Sequence, residues 1–166
     1  MSVTVQYKDK GAEKVLKALK DFNSFELTIG YQGPSGAATY EDSGITVAQN
    51  AAFQEFGTRE DPQRSFLRST MKERRKDIIE VWATESGRAL EGKQTALRAL
   101  SRIGEAIVDM IREKLDRAQG WAWPLDASTV EEKGSRRPLF ETGKLYRNLS
   151  WAVRKGGTVV RQGGTK

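Results

Sequence analysis

At 166 residues the chain is long enough for one domain with a real core and too short to expect two. Apolar residues make up 37% and charged residues 30%, with net charge +6; a core that lean suits a subunit that gains burial from neighbours. Cysteine and histidine are both absent, which removes disulfides, thiolate nucleophiles, the commonest general base and most zinc sites, so any chemistry would rest on carboxylates, lysine or tyrosine.

Ser2 to Lys8 alternates, with Val3, Val5 and Tyr7 against Thr4 and Gln6, and predicts a half-buried strand. Gly11 breaks it. Val15, Leu16 and Leu19, set at helical spacing among Lys14, Lys17 and Lys20, then predict a short amphipathic helix ending near Asn23. Phe25, Leu27 and Ile29 alternate in a second strand over Ser24 to Gln32. Strand, helix and strand with short connections predict a sheet with a helix packed on one face. Gly33 to Gly44 is rich in turn formers and reads as a long loop, a kind that is usually functional or mobile.

Thr46 is placed to cap the next helix, which ends at Gly57, where glycine accommodates a left-handed terminus. Its Ala48, Ala51 and Ala52 allow close backbone approach, and Phe53 and Phe56 share a face. Ser65 opens the longest helical region, with a stripe of Leu67, Met71, Ile78, Trp82 and Ala89 interrupted by Lys72, Arg74, Arg75 and Lys76. Gly87 and Gly92 predict a break between Gly87 and Lys93. From Gln94 to Ala118 the stripe of Leu97, Leu100, Gly104, Ile107, Ile111 and Leu115 predicts a central core helix.

Pro124 disfavours helix at Trp123, so Trp121 and Trp123 fall in an extended segment. The preferred reading makes them an anchor on the domain's own sheet; the other makes them, with Tyr40, candidate residues of a subunit interface. Short helices are predicted at Ser128 to Lys133 and Thr142 to Leu149. Trp151, Val153, Val159 and Arg161 flank Lys155-Gly156-Gly157-Thr158 as a two-stranded hairpin, and Gly163 to Lys166 read as a frayed end.

Charge is unevenly placed. From Lys133 onward nine basic side chains face the single carboxylate of Glu141, a net +8 that leaves −2 for the rest of the chain. Such a segment suggests an acidic partner, DNA or an acidic protein face, with Arg136, Arg137, Arg154, Lys155 and Arg161 as candidate contacts; the alternative is a solvated tail. A metal-dependent nuclease would need clustered carboxylates, for which Glu60-Asp61 and Glu131-Glu132-Lys133 offer only short strings. Gly33-Pro34-Ser35-Gly36 lacks the lysine and following helix of a phosphate-binding loop. No apolar run reaches the length of a membrane span.

Two ordered motifs carry a resemblance. The first is Glu55-Phe56-Gly57-Thr58 at the end of an Ala-rich helix, followed by Pro62, Arg64 and the pair Phe66-Leu67 opening a long helix. The second runs Trp123-Pro124-Leu125, Ser128-Thr129, Lys133-Gly134, Pro138-Leu139-Phe140, Thr142-Gly143-Lys144-Leu145, Asn148-Leu149-Ser150 and Trp151-Ala152-Val153. Together they resemble the signatures of bacteriophage tail-completion and neck proteins, the small ring-forming components that join head to tail. Phe140 and Glu141 depart from the aliphatic residue and Asp that the family more often carries there.

The resemblance implies a single α+β domain over residues 1–166, a small antiparallel sheet packed against long core helices. It implies a non-enzymatic virion subunit without cofactor or metal, assembled in the host cytoplasm into a ring at the neck or tail top. Six-fold symmetry is favoured and twelve-fold is the alternative. The implied partners are the head connector or adaptor and the tail tube or tail terminator, with genomic DNA passing the lumen and no membrane contact. The alternative is a non-enzymatic DNA-binding protein or a carboxylate-metal nuclease.

Overall fold

The computed structural model describes residues 10–41, 43–133, 136, 138–139 and 142–165; the expected strand Ser2 to Lys8 lies outside them, as does Arg137. In chain order the elements are α1 (Lys10–Asn23), β1 (Phe25–Gly30), α2 (Gly33–Ala37), α3 (Val47–Phe56), α4 (Leu67–Glu73) and α5 (Arg75–Leu90). They continue with α6 (Ala96–Asp116), a 3-10 turn at Ala118–Gly120, α7 (Ala127–Lys133), α8 (Lys144–Asn148), β2 (Ser150–Lys155) and β3 (Thr158–Gly163). The result is one α+β domain with a three-stranded antiparallel sheet in the order β1-β2-β3.

The sheet has an apolar and a polar face because its register aligns like with like. Leu27 sits opposite Val153 and Ile29 opposite Trp151, whereas Thr28 sits opposite Ala152 and Gly30 opposite Ser150. The Gly156-Gly157 turn joins Lys155 to its partner Thr158, the hairpin that the sequence predicts. On the apolar face lies α6, whose Ile103, Ile107, Ile111 and Leu115 are fully buried with Trp151 and Val153. The helix comes close because Gly104 has no side chain. A Cβ there would stand 2.7 Å from Trp151 Cγ, and one on Gly163 would stand 2.8 Å from Trp151 Cζ2. The indole is thus held between α6 and β3, and its Nε1 donates to Glu105 Oε2 at 2.6 Å.

Arg112 carries a charge into this core. It is fully buried, and donates to the carbonyls of Tyr146, Leu149 and Gly164. Tyr146 and Leu149 lie at the C-terminal end of α8, where carbonyls lack helical partners, so the guanidinium completes that end and ties it to the end of β3. The Gly163–Gly164 end is therefore anchored rather than frayed.

Three other expectations change in detail. The Gly33 to Gly44 stretch is not all loop: it contains the single turn α2 and a bridge between Thr39 and Thr46. The helical region after Ser65 begins at Leu67 and breaks at Arg74, whose φ of −97° and ψ of 19° leave the helical range. Helix then runs through Gly87 to Leu90, and the predicted break falls at Glu91 to Thr95. Thr95 restarts the chain by accepting from Arg98 N.

Candidate functional site

The first motif segment is organised by one carboxylate. Thr46 caps α3 in a full capping box with Gln49, and the helix carries Glu55 near its last turn, almost fully buried. Glu55 Oε2 accepts from the backbone N–H of Phe66 and of Leu67, both at 2.8 Å. Its Oε1 accepts from Ser65 Oγ at 2.7 Å, Arg68 N at 3.0 Å and Arg68 Nε at 2.9 Å. These are the orphan donors at the start of α4, so a side chain from one helix caps the next. Burial alone would raise the Glu55 pKa, but the hydrogen bonds from Ser65, Arg68 and the α4 backbone outweigh it and hold the group below the usual carboxylate range.

The other motif residues shape the turn that brings α4 back to Glu55. Gly57 has φ 76° and ψ 169°, a conformation open to glycine almost alone, and a Cβ there would press on Gln63 N at 3.0 Å. Thr58 Oγ1 accepts from the N–H of Glu60 and of Asp61. Pro62 lies in the same turn, and Phe66 and Leu67 enter the core. Arg64, buried, closes the arrangement from the far side. Its Nε donates to Trp123 O at 3.0 Å, its Nη1 to Gln54 Oε1 at 3.1 Å and its Nη2 to Pro124 O at 3.5 Å. The Trp-Pro-Leu segment is therefore bolted to α3. Arg64→Ala should leave those carbonyls without their donor and cost about 1–3 kcal/mol. Hydrogen exchange should rise mainly over residues 121–126; unchanged exchange there would show that the clamp contributes nothing.

What this unit presents to solvent is unusual for so charged a chain. The exposed side of α3 consists of Gln49, Ala52, Phe53 and Phe56, at positions that share one helix face, and the helix's single charge, Glu55, points inward. Phe53 is 44% and Phe56 64% exposed; the Arg68 guanidinium lies 4.5 Å from the Phe56 ring centroid. Trp123 is 64% exposed although its carbonyl is fixed by Arg64. The spacing of Phe53 and Phe56 showed in the sequence that they share a face; that the face is left uncovered did not show.

The remaining candidates divide. Trp121 anchors within its own chain, as the preferred reading has it, but on α6 rather than on the sheet. Its Nε1 donates to Lys114 O at 2.8 Å, and Lys114 Nζ sits 4.4 Å from its ring centroid. Tyr40, offered as an interface residue, is 9% exposed in the core, with its hydroxyl accepting from Asn50. Pro138 and Leu145 are buried, Leu139 packs against the core, and Thr142 and Gly143 lead into α8.

From Thr142 to Thr165 the basic segment is folded into the domain as α8, β2 and β3 rather than standing off as a tail. Arg154 donates to Thr28 and Gln32 across the sheet, Lys144 to Thr39 O, and Arg147 to Thr142 O. Arg136 and Arg161 are exposed; Lys155, also exposed, lies over Phe25.

The cleft between α4 and α6 is lined by Thr70, Glu73, Arg74, Met110, Lys114 and Trp121. Arg74 pairs there with Asp77 and Glu113, and Lys114 with Glu73; Arg117 also lines the cleft. Burial pushes the pKa of the Tyr31 phenol up, and its hydroxyl donates to Leu145 O at 2.8 Å. Among the described residues no group of three or more acidic side chains is placed to hold a metal ion, and no helix is long and apolar enough to cross a membrane.

Comparison with protein-family models, curated proteins and solved structures finds no match for this chain.

Proposed function

We propose that this chain is a non-enzymatic structural subunit of a bacteriophage virion, forming an oligomeric ring at the head–tail interface that completes the tail or builds the neck and lets DNA pass. One observation carries the reading. The two motif segments on which the resemblance rests, 59 positions apart at Arg64 and Trp123, are joined by direct hydrogen bonds into one unit beside an uncharged, exposed helix face. Either string alone is common; the Arg64 hydrogen bonds bring the two together in the fold, which supports reading them as one unit. Their exposed surface offers the aromatic side chains of Phe53, Phe56 and Trp123, the composition of a protein-docking surface.

The partners are further copies of the chain, a head connector or adaptor, and a tail tube or terminator. Six copies are favoured over twelve. Exposed Arg136, Lys155 and Arg161 supply a non-specific contact for DNA in the lumen.

Native mass spectrometry of the purified chain should give a discrete particle of six or twelve times the 18.5 kDa chain mass, ring-shaped by electron microscopy. A phage lacking the chain should accumulate filled heads and separate tails. Fully joined virions from such a phage would overturn the reading. Retention on duplex DNA that falls steeply with salt, from a chain that stays monomeric, would favour the DNA-binding alternative.

A further inference from the structure

We infer that β3 is a strap that opens from β2 as a unit, swinging about the Gly156-Gly157 turn while the rest of the domain stays folded, and that Arg112 is the latch that holds it shut. The device belongs to a single copy and stands apart from the ring reading.

β3 differs from the two strands beside it. Leu27 and Ile29 of β1 pack on the core, and Trp151, Ala152 and Val153 of β2 are buried. On β3 every side chain from Thr158 to Gln162 is exposed, Val159 at 42% and Val160 at 45%. The strand lies at the sheet's edge, so among the described residues β2 is its single strand neighbour. A strand that buries no side chain is held by its ladder, and a ladder at an exposed edge is the kind of structure that opens locally. This ladder is also interrupted, its register shifting between Val153 and Arg154.

The remaining hold on β3 is concentrated at its two ends. At the first the chain turns through Gly156 and Gly157, whose φ of 56° and 81° are left-handed values natural to glycine. Residues without a Cβ change φ and ψ with little steric hindrance, which suits a hinge. At the other end Gly163 and Gly164 lie against the Trp151 indole, where a Cβ on Gly163 would meet the ring at 2.8 Å. There Gly164 O accepts from Arg112 Nη2.

The latch is arranged to release. The same Nη2 donates to Leu149 O at 3.2 Å, Nε donates to Tyr146 O at 3.3 Å, and Nη1 lies 3.5 Å from Asp109 Oδ1. When Gly164 leaves, the guanidinium keeps these three partners, so opening the strap does not strand a buried charge. Beyond the ladder, strap and core part at one hydrogen bond and a glycine surface, with no packed side chain to withdraw. Opening bares the outer edge of β2 and one side of the Trp151 ring, while β1 stays paired and α6 stays packed beneath it.

Native-state hydrogen exchange of the monomeric full chain, read residue by residue by NMR, tests this. In an antiparallel sheet the N–H groups of a central strand point alternately to one neighbour and to the other, so β2 carries its own control. Its amides that bond to β3, and the β3 amides that bond back, should exchange at least about a hundredfold faster than those that bond to β1. Their rates should change little in low urea, because the opening exposes little surface. The β1-bonded amides of β2 should instead follow those of α6.

Two variants locate the hold. Arg112→Met removes the latch. Gly163→Ala leaves Arg112 in place and presses a Cβ against the indole, which lifts the strap. Each should speed the β3-bonded set by about tenfold or more relative to the β1-bonded set. Should Arg112→Met fail to fold, Gly163→Ala decides alone. Even protection along β2, or variants that raise exchange equally across the sheet, would overturn the inference, because β3 would then open only when the whole domain does.

Discussion

Replacing Glu55 with alanine is expected to lower stability by about 3 kcal/mol at neutral pH, because the N–H groups of Phe66, Leu67 and Arg68 lose their acceptor at once. For a chain of this length that corresponds to a fall in Tm of about 6–12 °C. Glu55→Gln keeps one acceptor oxygen but turns an amide NH2 toward the same donors, and should fall between parent and alanine.

The pH dependence carries a definite sign. The carboxyl's pKa is depressed in the folded chain, by hydrogen bonds that overcome its burial. Its contribution is therefore fully present above the unfolded value of about 4.3 and fades as pH falls below it toward the folded pKa. Urea unfolding of parent and Glu55→Ala should show a wide gap at pH 7 that narrows on acidification below about pH 4. A gap of constant size across that range would mean that Glu55 stabilises through packing rather than as an ionised cap.

Trp151→Ala should cost about 3–5 kcal/mol, the usual loss for a fully packed large aromatic. The more discriminating measurement is at Gly104. Alanine there gains up to about 1 kcal/mol of helix propensity, but its Cβ meets the indole at 2.7 Å, an overpacking cost of about 1–3 kcal/mol. Gly104→Ala should therefore destabilise the parent. In the Trp151→Ala background the ring contacts are gone and only the tight 3.0 Å approach to the Cβ of residue 151 remains, so the same substitution should cost much less. A coupling of about 1 kcal/mol or more across this double-mutant cycle, read by denaturant unfolding, identifies the close approach. The same effect of Gly104→Ala in both backgrounds would show that the helix does not rest on the indole.

Some of this architecture is written locally. The stripe from Leu97 to Leu115 specifies α6 because a helix needs only its own period and length to declare a buried face. Thr46 with Gln49, and Gly156-Gly157 between two alternating runs, specify a helix start and a hairpin for the same reason: the groups that satisfy one another lie within a few residues. Gly57 declares a helix terminus by its residue type, whereas Glu55, Arg64 and Gly143 are marked only by the resemblance.

Their roles could not be read locally. Glu55 works on donors ten to thirteen positions away, and Arg64 on carbonyls 59 and 60 positions away. Such bonds depend on how the chain closes its loops, which no local pattern encodes. β1 finds β2 across about 120 positions, with Ser150 Oγ reaching Gly30 O, and only that pairing lets Arg154 reach Thr28 and turns an apparent basic tail into part of the sheet. The same closure decided which tryptophan is anchored and which is presented, and left the stripes of α1 and α3 uncovered. Periodicity marks a face as apolar; only the packing of every other element determines whether anything within the chain remains to cover it.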